Sequence, residues 1–188
     1  MPTLILASQS PRRRELLAVA GFEFAVRARP VEEVRRAGED PGEYVERLAR
    51  EKAEAAWIGA DEIVLGADTT VVLGDRVFEK PADQEAAASM LRGLSGREHS
   101  VITGICLRHS GGAIVGREST RVRFAAMSEE EIAEYVASGE PLDKAGAYAI
   151  QGLASKFVER IEGCYFNVMG LPLALVYRHW QALTRGDL

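Results

Sequence analysis

Short apolar segments alternate with longer, charged segments along most of the chain. Residues 3–7 predict a buried strand, and the following Ser10-Pro11 pair is typical of a helix start, with serine as N-cap and proline in the first turn. That helix is expected to stop near Gly21. Apolar residues at helical spacing or capping signals predict four further helices, at Pro41 to Trp57, Asp83 to Leu94, Ser128 to Gly139 and Leu171 to Leu183.

Strand signals fall between these helices. Ile63 to Leu73 is dense in β-branched residues and runs into Gly74, which predicts a hairpin turn there. Other strands are predicted at 24–26, 99–108, 113–124 and 157–161, with a turn at Gly111-Gly112 joining the middle two. Because helices and strands interleave but two hairpins interrupt them, the pattern predicts an α/β fold with a mixed sheet.

Length and charge narrow the class of protein. With 188 residues and 47% hydrophobic content, the chain can bury one full core, so we expect one domain over 1–188, with room for two lobes. The 28 acidic and 23 basic side chains give a net charge of -5, which disfavours nucleic acid as a partner. No apolar run is long enough for a membrane span, and Leu4 to Ala7 is too short for a signal peptide.

The two cysteines favour a reducing compartment. Cys106 lies in an apolar run, where a thiol is more often a small buried hydrophobe than half of a disulfide, and Cys164 is the other cysteine. We therefore expect a cytoplasmic protein.

The segment from Ser8 to Arg14 is the first candidate for chemistry. It lies at a strand-to-helix junction, where free backbone N–H groups and the helix dipole favour an anion. Arginines in a first helical turn oppose that dipole unless an anion joins them, and their forked donors match phosphate oxygens. The alternative is a solvated basic face on an ordinary capped helix.

Acidic and small residues supply the other candidates. Asp68 interrupts an apolar strand, which is costly unless the acid is paired or binds a metal, although a strand-end aspartate bonded to amides would also explain it. Glu32-Glu33 could bind a hard cation or simply be solvated. Lys52 and Lys80 would ordinarily be surface residues. The small-residue loop from Asp143 to Gly152 could approach a ligand or be a packed connection.

Several reaction classes are disfavoured. His99, His109 and His179 show no metal-ligand spacing, and no Ser-His-Asp or Cys-His group can be built from sequence neighbours. A Walker-type Gly-x-x-x-x-Gly-Lys loop is also missing from the sequence.

Taken together, six ordered motifs closely resemble the Maf family of nucleotide pyrophosphatases. They are Ala7 to Arg13, Gly66 to Thr69, Glu79 to Pro81, Leu94 to His99, Asp143 to Gly152 and Gly170 to Pro172. The resemblance implies a mixed sheet flanked by helices, two lobes with a central cleft, a fold related to inosine triphosphatase, and often a homodimer. Arg12, Thr69 and Gln151 match the branch acting on dTTP and UTP, whereas the 7-methyl-GTP branch shows tryptophan after the proline and a Ser-Asp-Gln strand.

The resemblance also implies roles for residues. The expected reaction cleaves dTTP or UTP into the monophosphate and pyrophosphate with a divalent cation, Mg or Mn. Asp68 would be the general base and share the metal with Glu33, although Glu32 remains an alternative ligand. We expect neighbouring lysines and metal to hold the pKa of Asp68 low. The remaining candidates are phosphate contacts at Ser8, Ser10, Arg12, Arg13, Lys52 and Lys80, and base contacts at Thr69 and Gln151.

Two other functions would use the same features. A non-catalytic nucleotide-binding regulator linked to cell division could employ the basic helix start equally well, but it would not need Asp68 beside Lys80. A nucleic-acid-binding module is disfavoured by the acidic net charge.

Overall fold

The computed structural model describes residues 2–185, and within this range a mixed sheet carries the helices. The strands are β1 (Thr3–Leu6), β2 (Phe24–Val26), β3 (Glu62–Leu73), β4 (Arg76–Phe78), β5 (Glu98–His109), β6 (Gly112–Phe124) and β7 (Val158–Glu162). The helices are α1 (Pro11–Val19), α2 (Pro41–Ala56), α3 (Gln84–Leu94), α4 (Glu129–Ala137), α5 (Tyr165–Val168) and α6 (Leu173–Arg185). The predicted domain 1–188 extends beyond this range by residue 1 and residues 186–188.

The sheet order is β2-β1-β3-β5-β6-β7, and β4 pairs with β3. Strand β1 runs parallel to both β2 and β3, with Leu4 opposite Ile63 and Leu6 opposite Leu65. The β3–β4 and β6–β7 pairs are antiparallel. The prediction of an α/β fold with a mixed sheet is therefore confirmed.

The chain divides into two compact units. Among the described residues, the first unit contains residues 2–68, Thr103–Glu118 and residues 170–185. The second contains Thr69–Ile102 and Ser119–Met169. Strand β3 therefore changes unit directly after Asp68.

In the first unit, α2 packs directly on strand backbone at two glycines. A Cβ at Gly66 of β3 would lie 2.0 Å from the carbonyl oxygen of Ala49, and one at Gly104 of β5 would lie 2.4 Å from that of Val45. Only glycine allows a helix to approach strands this closely. Cys106 lies in the core beside this contact, and burial raises the pKa of its thiol to about 11. The prediction that it is a buried apolar residue is confirmed.

The core of the second unit is aromatic. Phe124 contacts the rings of Tyr148 and His99 edge to face, at centroid distances of 4.7 and 5.0 Å. Leu91 of α3 and Val136 of α4 belong to the same buried cluster. Because Tyr148 belongs to the Asp143–Gly152 loop, these contacts anchor that loop in the core.

The helix starts follow the capping chemistry of the sequence, with one exception. Ser128 and Glu131 form the predicted capping box, with N–O distances of 3.2 and 2.8 Å. Asp83 caps α3. Ser10 occupies the N-cap position of α1 but makes no side-chain cap, and its backbone N–H donates to Ser8 Oγ at 3.2 Å.

The structure also adds detail that periodicity could not supply. Helix α5 was not predicted, because four residues are too few to show a helical repeat. The Asp143–Gly152 loop contains short 3₁₀ turns rather than extended chain. Within residues 2–185, every helix is too short or too polar to cross a bilayer.

Candidate active site

Asp68 is the centre of the candidate site. It lies within β3 with 8% of its surface exposed, and its Oδ1 accepts a hydrogen bond of 2.6 Å from Lys52 Nζ. Lys52 reaches it from α2, and the next residue, Ala53, packs against Gly66, two positions before Asp68. The glycine in the strand therefore brings the lysine and the acid together. The side chain of Lys52 is only 11% exposed, so it is not an ordinary surface lysine.

A second carboxylate meets the same ammonium group. Glu33 Oε1 lies 2.7 Å from Lys52 Nζ, and the Glu33 side chain is 43% exposed. Tyr44 Oη donates a hydrogen bond of 3.3 Å to the Glu33 carbonyl, which fixes this segment to α2. Glu32 is exposed to solvent. Of the two candidates left open by the sequence, Glu33 is thus the one placed beside the partner of Asp68.

Burial dominates the electrostatics of Asp68. It raises the pKa of the carboxyl group above its ordinary value, while the charges of Lys52 and Arg13 act in the opposite direction. The expectation that neighbouring cations would hold this pKa low is therefore wrong in sign for the protein itself. The reason is that removing a carboxylate from water disfavours its charged form more than these two cations favour it.

Arg13 makes several hydrogen bonds to other parts of the protein. Its side chain is buried, Nε donates to the Gly170 carbonyl at 2.8 Å, and Nη1 donates to the Ala67 carbonyl at 2.8 Å and to Ser8 Oγ at 3.2 Å. Burial lowers the pKa of this guanidinium, and the charge of Asp68 opposes that effect. Arg13 therefore ties α1 to the residue that precedes Asp68, and its role as a phosphate contact stays a prediction.

The start of α1 carries the remaining cation and hydroxyl candidates. The helix has no side-chain cap and no acidic residue in its first turn, so no carboxylate of that turn offsets its positive end. Ser8 is buried, whereas Ser10 and Arg12 are partly exposed. Because Arg13 of this turn bonds to the Ala67 carbonyl, the basic helix start lies beside the residue that precedes Asp68.

The carboxylates fit a divalent cation of the magnesium type. Among residues 2–185, no group of three or more histidine, cysteine or acidic side chains could form an all-protein metal cage. Magnesium, however, is usually held by one or two carboxylates together with water and substrate phosphates. Asp68 and Glu33 converge on a single point, the Lys52 ammonium, and so have the oxygen donors for such a site.

Three predicted residues belong to the second unit. Thr69 follows Asp68 on β3 and is partly exposed, and Lys80 is exposed just after β4. Gly146 N donates to the Glu79 carbonyl at 3.2 Å, so the glycine-rich loop is attached to the segment that carries Lys80. Gln151 is exposed on a turn of the same loop. The roles of Thr69, Lys80 and Gln151 stay predictions.

Some contributors to the site were missed. The Arg13 bond to Gly170 spans 157 positions, and no local pattern indicates it. Tyr44 fits the apolar stripe of α2, and helical periodicity gives no information about the bond of its hydroxyl group to the Glu33 carbonyl. Gly66 did carry a signal, since glycine inside a strand pattern often marks close approach of another backbone.

Comparisons with known proteins agree with this geometry. Residues 3–183 match the family model described as Maf-like protein. The dTTP/UTP pyrophosphatase of Koribacter versatilis (strain Ellin345) is 56% identical over 176 residues, which cover 93% of this chain and 91% of that protein. The protein of the same name from Salmonella typhimurium is 52% identical over 188 residues, covering 97% and 95%.

A solved structure supports the fold. The Staphylococcus aureus Ham1 protein aligns with a TM-score of 0.51 over 99% of this chain and 100% of its own, at 15% identity. At that identity the likeness concerns architecture alone. The family match, in contrast, covers nearly the whole chain and every residue of the site described above. By its sequence and its fold, the chain belongs to the Maf-like protein family.

Proposed function

We propose that this chain is a nucleoside triphosphate pyrophosphatase that hydrolyses dTTP and UTP to the monophosphate and pyrophosphate. Relatives that are 50–56% identical over about nine-tenths of the chain carry the name dTTP/UTP pyrophosphatase. The observation that carries the proposal is the buried Asp68, hydrogen-bonded to Lys52 and placed beside a helix start without a cap.

Asp68 is proposed as the general base. It would take a proton from water as the water oxygen bonds to the α-phosphorus, and the bond from that phosphorus to the bridging oxygen would break, releasing pyrophosphate. In the protein without a bound ion, burial raises the pKa of this carboxyl group, so Asp68 accepts a proton more readily there than an ordinary carboxylate does. Lys52 would hold the carboxylate in position through its bond of 2.6 Å.

Cations are needed wherever charge develops on the phosphates. Arg12, with the backbone and hydroxyl groups of Ser8 and Ser10, is proposed to contact phosphate at the start of α1, and Lys80 remains a further candidate. Arg13 is a further proposed phosphate contact, and the bonds from its Nε and Nη1 to the Gly170 and Ala67 carbonyls also hold α1 beside β3.

A divalent cation, Mg or Mn, is proposed as the cofactor. Asp68 and Glu33 would hold it, since both carboxylates already face one cationic centre. When bound, the ion would neutralise phosphate charge and polarise the scissile bond.

Thr69 and Gln151 are proposed to contact the base. The amide of Gln151 offers both a donor and an acceptor, as the edge of uracil or thymine requires. The C5 methyl group that distinguishes thymine from uracil is worth only about 1–3 kcal/mol in a pocket, so one site can accept both.

The test is Asp68→Asn, with the exposed Asp61→Asn at the start of the same strand as control. We expect Asp68→Asn to bind UTP within a few-fold of the wild type while pyrophosphate release falls by about 10²–10⁴, the range of general-base catalysis. Asp61→Asn should match the wild type. Unchanged pyrophosphate release from Asp68→Asn would refute the assigned base, and orthophosphate as the main product would show that another bond is cleaved. Binding by the wild type without turnover would favour the regulator.

A further inference from the structure

Gln151 lies on a turn whose backbone sets the position of its side chain. Gly152 N donates a hydrogen bond of 3.0 Å to the Ala149 carbonyl across the turn. Ala149 and Ile150 are buried, whereas Gln151 is exposed. Whatever fixes the backbone on either side of Gln151 therefore fixes where its amide can reach.

Two side chains hold both sides of this turn: Tyr135 of α4 and Glu140, which follows that helix. The N–H of Ala149 donates to Tyr135 Oη at 3.2 Å, and the N–H of Leu153 donates to both carboxylate oxygens of Glu140 at 3.1 Å. Tyr135 Oη in turn donates to Glu140 Oε1 at 2.8 Å. We refer to Tyr135 and Glu140 as the turn clamp.

Gly152 allows the carboxylate to approach. A Cβ at this position would lie 2.4 Å from both oxygens of Glu140, a distance that real contacts do not reach. The φ angle of Gly152 is -103°, which any residue can adopt. An alanine here would therefore displace the Glu140 carboxylate rather than strain the backbone.

The clamp is itself held in place. Gly139, at φ +76°, ends α4 and redirects the chain, and Glu140 N then donates to Ser138 Oγ at 3.2 Å. Lys144 Nζ donates to the Glu140 carbonyl at 2.7 Å. Burial raises the pKa of Tyr135, with the bond to Glu140 adding to the shift, so its hydroxyl stays protonated and keeps donating to the carboxylate.

We propose that Tyr135 and Glu140 are positioning residues for Gln151 and that they thereby set the preference for the nucleobase of the substrate. The inference rests on the proposed function, in which Gln151 contacts the base. A functional side chain must be held to within about 0.5 Å by the residues around it, and hydrogen bonds on both flanking amides give that support. The bond across the turn from Gly152 to Ala149 cannot do so alone, because it constrains the shape of the turn and not its place.

The first experiment measures kcat and KM for UTP and ATP in Tyr135→Phe and Gly152→Ala, with Glu134→Gln, an exposed acid on α4, as control. Each clamp variant should raise the KM for UTP about three- to tenfold, the value of one ordinary hydrogen bond, with kcat within about twofold. The preference for UTP over ATP should fall by the same factor. An unchanged KM in both variants, or a fall in kcat alone, would overturn the proposal, since a merely structural role lowers the active fraction for every substrate.

A second experiment does not depend on activity. Amide hydrogen exchange of Ala149 and Leu153, measured by NMR on the folded proteins, should become about tenfold faster in Tyr135→Phe and in Glu140→Gln. Protection equal to the wild type would overturn the clamp. Gly152→Ala retains both clamp residues but displaces the Glu140 carboxylate, so faster exchange of Leu153 is expected in it as well, and it supplies the same test should either of the other variants fail to fold.

The clamp and the proposed function can fail separately. Gln151→Ala, measured in parallel, should raise the KM for UTP at least as much as the clamp variants do. If it does not while UTP is still hydrolysed, the assigned base contact is wrong and the selectivity role of the clamp is overturned with it. If the wild type releases no pyrophosphate, the proposed function is wrong, and the exchange rates alone decide whether Tyr135 and Glu140 hold the turn.

Discussion

Gly66 is the position at which one added methyl group should separate Lys52 from Asp68. In Gly66→Ala, the distance from the new Cβ to the Ala49 carbonyl oxygen would have to grow from 2.0 Å to at least the 3.4 Å of ordinary contact, a shift of about 1.4 Å. The obstacle is helix backbone on one side and strand backbone on the other, so no side chain can rotate away. Helix α2 must therefore move off β3.

That movement would break the central bond of the site. Lys52 Nζ lies 2.6 Å from Asp68 Oδ1. A shift of about 1.4 Å away from the strand would carry this distance past the limit of a hydrogen bond. We expect Gly66→Ala to lose about 1–3 kcal/mol of stability through overpacking. We also expect kcat/KM for UTP to fall by about 10²-fold, the usual effect of a displacement near 1 Å in a catalytic group.

The assays are urea unfolding and pyrophosphate release under conditions where the variant is folded. Gly59→Ala is the matched control, because a Cβ there meets nothing within 4 Å and the residue lies in the same unit. It should leave both quantities near the wild-type values. A folded Gly66→Ala protein with undiminished kcat/KM would refute the view that close packing of α2 on β3 builds the site.

Four further predictions follow from the charges. Lys52→Met should cost about 3–5 kcal/mol by leaving Asp68 buried without its partner, measured by urea unfolding, with Lys52→Arg as the milder control. Glu33→Gln should raise the magnesium concentration needed for half-maximal activity, whereas the exposed Glu32→Gln should not; equal effects would remove Glu33 from the metal site. In the protein without metal, the pKa of the Asp68 carboxyl group, followed by NMR, should lie above 3.8, the ordinary value for an aspartate, because burial raises it; a pKa at or below that value would contradict this. His99 has its pKa lowered by burial from 6.5 to about 4, so the folded state resists its protonation, and the stability it contributes above pH 6.5 should be lost as pH falls to about 4; His99→Gln should lack that component of the pH dependence of unfolding.

The order and type of most elements could be predicted because the information is local. β-branched runs, glycine turns and the Ser128 capping box each act over a few residues, and the structure has the corresponding strands, hairpins and helix. The bounds differed by one or two residues at most helix ends, as for α2, which ends at Ala56 rather than Trp57. Helix α5 was missed because its four residues form less than two turns.

The candidate site was only partly predictable for the same reason. Asp68 stood out, since an acid in an apolar strand is unfavourable unless it has a partner, but nothing local identified Lys52 as that partner over the exposed lysines. Arg13 was grouped with Arg12 because the two are adjacent in sequence. The structure distinguishes them by burial, since Arg13 is buried and bonds the Gly170 and Ala67 carbonyls, whereas Arg12 is partly exposed.

By itself, then, the sequence determined the class of fold, the family and the short list of side chains with unusual chemistry, because these depend on composition, local patterns and ordered motifs. Tertiary structure alone decided which carboxylate joins Asp68 at Lys52, that Arg13 bonds the Ala67 carbonyl, and the direction in which the pKa of Asp68 moves. These outcomes depend on burial and on distances between residues far apart in the chain. The close contact between the backbone of α2 and Gly66, which leaves no room for a Cβ, exists only once the chain has folded.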